Sequence, residues 1–588
     1  MRTGVAIAAA LFLAACGPQG AGGDAGPEAD GGDAMDAADT GPEPCAAEGA
    51  LECTADGYAI RSCAGGVWTI SSDCMREAGR LCEDAACVEP WLYGTPEWDT
   101  CADEPRATAE SLAEKAARYD ALATRLHIHP LLRGLAPVHL PSGVTEATAT
   151  FADVDGWRSG ENDGLWSALY LAAQAYRYAV TRDAESLATI RELMDGEAAR
   201  MRITGVSGVF TRQMIPPGVA GLSCPSDPSS YVPDVEKDDN KWVQIRGDGC
   251  VWVVDGTTMA WAATTHCGLD EFSGWCFLDN VSKDEYAGHL FALGSVWRLV
   301  EDEAVRALAA ELLGEIADHL LANEMALVDW DGRVTEHGRF YAWALDDFPG
   351  FNAALALSLF AAAAAATGRD DLRTFYEECL LQEAGRHACI DRPLELPRSY
   401  LEHLPAAGLY GEDGCRANFN NISMHFLSLY GLLAFEREPS RREAIQASLA
   451  VHVWSPPEIS RAARVQHNAW FDFLWAAGKR VGPGSDGPAL GAVRDGACML
   501  RQFPASYAER FVPVPPGFEP FCLNRFDESA SEHAREIADR CAATFVWWRD
   551  PFSLTDACSD DPQTIHPPTG YLLAYWMARA HGFLSAAD

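Results

Sequence analysis

Basic residues are scarce in this chain. Its 588 residues hold 45 Lys plus Arg against 85 Asp plus Glu, a formal net charge of −40. So acidic a surface argues against nucleic acid as a partner, and against docking on anionic lipid through basic patches. Beyond the N-terminus no stretch reaches the roughly 18 uninterrupted apolar residues that a bilayer-spanning helix needs. The run Ala361 to Ala366 belongs to a shorter apolar stretch, bounded by Phe351-Asn352 and Thr367-Gly368. A Gly-x-Ser-x-Gly elbow, a phosphate-binding glycine loop and a dinucleotide fingerprint are also missing, which argues against esterases, kinases and oxidoreductases. Between Gly17 and Pro44 there is no Lys or Arg and almost nothing to bury. That segment is expected to be a disordered acidic tether with a reach of about 30 Å.

What is present supports a large core, because 48% of the residues are apolar and 18 are Trp. At the N-terminus, Arg2 precedes the apolar run Val5 to Phe12, which is too short for a permanent span and sits where a secretory signal's centre belongs. Leu13-Ala14-Ala15-Cys16 follows and resembles the lipobox of bacterial lipoproteins. The resemblance implies a signal over residues 1–16, a lipidated Cys16, a bilayer anchor and export to the bacterial cell envelope, at the outer membrane or its periplasmic face. Several acyl chains hold a protein where one is marginal. An ordinary cleaved signal with an incidental cysteine is the alternative. Setting Cys16 aside, 18 of the 19 cysteines are left, an even number that suits disulfides in an exported protein.

Residues 45–104 form a second unit. Cys45, Cys53, Cys63, Cys74, Cys82 and Cys87 crowd a segment too small for a core of its own, so disulfides are its expected source of stability. It contains no histidine and no Cys-x-x-Cys pair, so zinc is not expected. No metal or cofactor is expected elsewhere either.

From residue 105 to 588 the pattern becomes that of amphipathic helices in pairs. Leu165 to Val180 and Ala184 to Met201 are separated by Thr181-Arg182-Asp183. Ala287 to Val300 pairs with Glu303 to Asn323, Ala353 to Ala366 with Leu372 to Gln382, and Met424 to Phe435 with Arg441 to Val451. Less regular segments are expected to complete the set: Arg106 to Leu126, Val465 to Gly478 with Ser531 to Trp548, and Gly570 to Leu584. The first helix of each pair is richer in Ala and apolar residues, as an inner helix packed all round should be. Joints within pairs are short, but the segments between pairs (Thr204 to Ser282, Met325 to Asn352, Glu383 to Ile422) are long. In a closed ring these all emerge where the inner helices begin, and such loops carry function. Near pairs such as Cys267 with Cys276, Cys379 with Cys389 and Cys541 with Cys558 are expected to staple them.

Glu161-Asn162-Asp163-Gly164-Leu165-Trp166-Ser167-Ala168-Leu169-Tyr170, the repeated hairpins, and Lys283-Asp284-Glu285-Tyr286-Ala287-Gly288-His289 together resemble the six-hairpin (α/α)6 toroid of bacterial carbohydrate-active proteins. The resemblance implies an all-α fold, the toroid preceded by the small disulfide-rich module. Its members include inverting glycoside hydrolases, polysaccharide lyases and sugar epimerases working in a central funnel.

The residues offer three chemistries. Asp163, Asp284 and Glu285, with Glu161 nearby, suit the paired carboxylates of glycoside hydrolysis; capping of helix N-termini is their plainer role, with Ser282 and Glu285 in capping-box spacing. Glu285 and His289 are four apart, on one helix face, and suit proton transfer. His337, Arg339 and Tyr341 alternate along a strand-like segment and suit a lyase or epimerase, which needs bases and a cation for a uronate. Trp166, Trp343 and Trp470 are candidate sugar platforms or simply core, and Arg212, Asn420, His425 and His467 are candidate binding groups. Carbohydrate or another small envelope ligand is thus the expected partner. A non-catalytic glycan-binding or structural protein is the reading from outside the enzyme class.

Overall fold

The computed structural model describes residues 44–588 apart from 55–58, 73–80, 84, 89–98, 159, 226–230, 232–236, 238, 342–348, 382–398, 412–413, 480–486, 556–557 and 559. Cys16, the tether, Cys74, Trp343 and Cys389 lie outside the described residues.

The inner helices follow from long apolar stretches ended by local breaks. Helix α1 (Leu112–Leu122) opens the domain, and α2 (Asp163–Thr181) is buried from Gly164 to Tyr176. Arg182 ends α2 in the left-handed region at φ 55°, and Asp183 then caps α3 (Ala184–Arg202) by accepting from the Ser186 N–H. Helices α4 (Lys283–Leu299) and α5 (Glu303–Ala322) repeat the arrangement, with Asp302 as the cap of α5. Next come α6 (Pro349–Thr367) with α7 (Asp370–Thr374), then α8 (Phe419–Phe435) with α9 (Pro439–Ser448). The chain finishes with α10 (Ala469–Lys479), α11 (Gly487–Arg501) and α12 (Thr569–Ala580). By length and composition α6 has the character of a membrane span, but 78% of its most apolar window is buried inside the protein, so it is a core helix.

The hairpins close into a ring. Helix α2 packs on α4, α4 on α6 and α8, α6 on α8, α8 on α10, α10 on α12, and α12 returns to α2. Outside them lie α3, α5, α7, α9 and α11, and α1 packs on α12. The sixth hairpin therefore joins the two ends of the domain. Leu112 O accepts from the Tyr571 hydroxyl at 2.7 Å, Asp120 accepts from Trp576 Nε1 at 2.9 Å, and Cys101 is disulfide-bonded to Cys498. Lys115 Nζ donates to the carbonyls of Leu500, Arg501 and Phe503 at 2.9–3.3 Å, a cation at the carbonyl end of α11. The fold is all-α, an (α/α)6 toroid.

One pairing differs from the expectation. The partner of α10 is α11, not Ser531 to Trp548, which forms only the short turns Ile537–Asp539 and Val546–Trp548. Glycines at 487, 491 and 496 lower the helix propensity of α11. Gly496 is there for packing, since a Cβ on it would lie 2.9 Å from the Phe473 ring.

Small β units decorate the ring. In the N-terminal module, strands β1 (Leu51–Cys53), β2 (Ile60–Ala64) and β3 (Val67–Ser72) form an antiparallel sheet with Cys45–Cys63 and Cys53–Cys82 disulfides. Between α3 and α4 lies a five-stranded sheet with its own core, including Val243, Val251 and Phe277. Its disulfides are Cys224–Cys276 and Cys250–Cys267, so the expected Cys267–Cys276 link is not formed; Cys541–Cys558 is. Cys276 is buried on a strand paired on both sides, opposite Ile215 and Gln244.

Candidate functional site

The first turns of the inner helices meet at one end of the ring. Asp163 starts α2, half-buried, and its Oδ1 accepts from the Gly160 N–H at 3.0 Å. Gln213, on the edge strand Gln213–Ile215 of the sheet, stands 3.5 Å from the other oxygen. Burial pushes the Asp163 carboxyl up to about 7, against the opposing pull of the Gly160 N–H and the Arg200 charge.

Asp284 and Glu285 begin the adjacent α4. Asp284 is half-buried and accepts from Asn420 Nδ2 of α8 at 2.9 Å, which ties α4 to α8 at this point. Glu285 is fully buried. The expected capping box does not form: Ser282 makes no side-chain cap, and Glu285 Oε2 instead accepts from the Leu165 N–H of α2 at 3.0 Å. Gly164 allows this approach, because a Cβ there would lie 3.4 Å from Glu285 Oε2 and 3.3 Å from His289 Nε2. Burial holds the Glu285 carboxyl well above the usual range; Arg212 opposes the shift, while Asp284 and Asp163 add to it.

Behind Glu285 runs a buried polar chain. His289 Nε2 is 4.0 Å from Glu285 Oε2, and its Nδ1 is 2.5 Å from Glu197 of α3. Phe210 stacks on the imidazole at a centroid distance of 4.1 Å. Glu197 is paired with Arg200 at 3.2 Å, and Arg200 donates to Ser167. Arg212 donates to Asn162 Oδ1 at 3.1 Å and to the Asn280 carbonyl at 2.9 Å, and stands 3.9 Å from Glu285.

An aromatic wall adjoins the carboxyl groups. Trp166 stacks on Phe545 and Trp548 at 5.7 and 5.8 Å, and Trp470 meets Phe545 edge-on at 4.9 Å. Trp166 and Trp470 are buried, and Trp548 keeps a partly open surface. Several polar atoms in these first two turns are buried without a hydrogen-bond partner: Glu285 Oε1, His289 Nε2, Asn352 Oδ1, Asn420 Oδ1, Trp470 Nε1 and Thr569 Oγ1. They come from α4, α6, α8, α10 and α12.

Other expected residues border this cluster or lie outside it: the Tyr341 carbonyl accepts from Asn352 Nδ2 at 3.1 Å, and His425 is in the second turn of α8. Glu161 is exposed beside it. His337 is exposed on the hairpin strand Val334–Arg339, 3.7 Å from Glu336, while Arg339 and Tyr341 are half-buried. His425 is fully buried on α8, stacked against Phe351, and burial pushes it down to about 3, a neutral imidazole. His467 turns outward at φ 48° and contacts Asp495 of α11 at 3.0 Å, outside the ring. Sequence reasoning missed Glu197, Gln213 and Trp548. The run Phe545-Val546-Trp547-Trp548 is an aromatic signal for the last; Glu197 carries none, being one acid among many on an outer helix.

No protein-family model matches the chain, and no curated protein does. Similar solved structures include a glycoside hydrolase family 76 mannosidase from Bacteroides thetaiotaomicron VPI-5482, at 9% identity and a TM-score of 0.29, covering 67% of this chain and 98% of that one. GH9 from Bacteroides ovatus is similar at 10% identity and a TM-score of 0.31, covering 80% and 82%. A family 76 glycoside hydrolase from a bovine Bacteroides thetaiotaomicron strain follows at 10% identity and a TM-score of 0.21, covering 67% and 78%. With TM-scores this low, the closed ring is what identifies the fold.

Proposed function

We propose that the protein is a carbohydrate-active enzyme that hydrolyses a glycosidic bond at the mouth of the ring. The observation that carries this reading is the half-buried Asp163, its carboxyl held near neutrality by burial, on the helix next to the one that presents Asp284. A carboxyl that keeps its proton near neutral pH is suited to protonate a leaving glycosidic oxygen. Asp284, oriented by the Asn420 amide, takes the proton of the attacking water. Glu285 and Arg212 position the two helix starts. Trp548, partly open and backed by the buried Trp166, offers a ring face to the sugar.

The test is sugar release from a panel of polysaccharides. Asp163→Asn and Asp284→Asn should each lower the rate about 1,000-fold or more, with the melting temperature kept. Full activity in both variants overturns the assignment. Products absorbing in the unsaturated-uronide band would instead favour the lyase route through His337 and Tyr341, and binding with no release by the unaltered protein would favour a non-catalytic role.

We further propose that the protein works outside the cytoplasm, tethered through a lipidated Cys16. The disulfides within the ring, such as Cys415–Cys522 and Cys101–Cys498, support an oxidising compartment. Radiolabelled palmitate should enter the protein and fail to enter Cys16→Ser.

A further inference from the structure

On the outer side of the ring, between the end of the second helix of the fourth hairpin and the α10–α11 pair, lies a cleft of about 970 Å3. Its apolar side is formed by the exposed Val451 and by the small open parts of Trp454 (7% exposed) and Trp475 (4%), which stack on each other at 4.8 Å and 15°. The polar side includes Asp472, Asp495 and His467, with Arg464, Glu532 and His533 also on the lining. Asp472 is 2% exposed and its Oδ2 has no hydrogen-bond partner. Burial, reinforced by the adjoining Asp495, drives its carboxyl well above the ordinary range.

The close crossing at Gly496 explains how two acids come to touch here, since a Cβ on Gly496 would lie 3.3 Å from that of Asp472. Such an arrangement is costly unless something uses it. Among the described residues, metal-ligand spacing occurs at Cys101, Glu104 and Cys498, where the two cysteines are a disulfide. The volume of the cleft suits a small organic ligand, and an apolar wall facing a few fixed donors and acceptors matches a molecule with one apolar face and a rim of hydroxyls.

We propose that this outer cleft is a second saccharide-binding site, taking a neutral sugar unit of a glycan chain against Trp454 and Trp475, with its hydroxyls on Asp472, Asp495 and His467. The site is separate from the mouth and does not depend on catalysis there. It would hold a polymer beside the ring while another part of the chain enters the funnel.

Native affinity electrophoresis of the whole protein in gels containing mannan, β-glucan or xylan, with polygalacturonate as the acidic control, tests this. Gly491→Trp fills the cleft from an exposed helical position where an added Cβ meets nothing within 4 Å, so folding is retained. The unaltered protein should be retarded by at least one neutral polymer. Gly491→Trp and Asp495→Ala should each weaken that retardation about 10-fold, the loss expected when a site of this kind loses its main contacts. Asp163→Asn should keep it, whatever its effect on hydrolysis. Retardation unchanged in both cleft variants, none on any neutral polymer, or retardation on polygalacturonate alone overturns the proposal.

Discussion

Where the inner helices end, Tyr176, Tyr430 and His581 bond one another in a chain, hydroxyl to hydroxyl at 2.9 Å and hydroxyl to Nε2 at 2.7 Å. Where the inner helices begin, buried polar atoms from five of them, among the described residues, make no such bonds. Both ends are built from the same helices with comparable burial, so fold requirements alone do not explain the difference. Satisfied polar groups at the floor specify which helices meet. Unsatisfied ones at the mouth cost stability and persist where a ligand can use them. The mouth is thus the end of the ring that is not optimised for folding.

Two substitutions set the ends against each other. The larger effect is expected at the mouth: Glu285→Gln keeps the acceptor for the Leu165 N–H but removes the titratable carboxyl that Arg212 faces. Sugar release should fall about 100-fold, while the melting temperature holds or rises, because the neutral amide loses less on burial. Calorimetry and a reducing-sugar assay on the same preparation check both halves. A lower melting temperature with normal activity would make Glu285 a structural group.

The floor should behave in reverse. Tyr430→Phe removes the hydroxyl shared by Tyr176 and His581 and leaves both with a lost contact. That should cost about 2–3 kcal/mol in urea unfolding, with activity at saturating substrate unchanged. If Tyr430→Phe lowers activity as much as stability, the two ends are coupled and the contrast fails.

The fold was legible in the sequence where apolar stretches were long and their breaks sharp, as at Thr181-Arg182-Asp183. It was not legible where glycine served packing, as in α11, or where strands were only three or four residues long, as in the sheet between α3 and α4. The residues of the candidate site announced themselves by type and position, but not their partners. Ser282 and Glu285 have capping-box spacing, yet Glu285 reaches a neighbouring helix because Gly164 leaves room for it. His467 looked like another residue of the mouth; a positive φ turns it to the outer cleft. Asp472, a lone acid among Trp470, Phe471, Phe473 and Trp475, was a signal of the kind that sequence can give, since an unpaired carboxyl in an aromatic helix needs a reason.

The smallest effect expected is in the pH dependence of stability, and it separates the two ends by slope instead of height. Burial raises the Asp163 carboxyl to about 7, so the folded protein binds a proton there that the unfolded chain, with a carboxyl near about 4, releases. The stability from this group is therefore fully present below about pH 4 and is lost as pH climbs through about 7. Glu285 adds to the decline in the same direction. Asp163→Asn cannot titrate, so the fall in its urea midpoint between pH 4.5 and 7.5 should be shallower than that of the unaltered protein. Tyr430→Phe leaves Asp163 in place and should lower the whole curve while keeping the fall that Asp163 causes. Parallel curves for all three proteins would mean that Asp163 ionises as freely as a surface carboxylate. It could not then serve as the acid of the mouth.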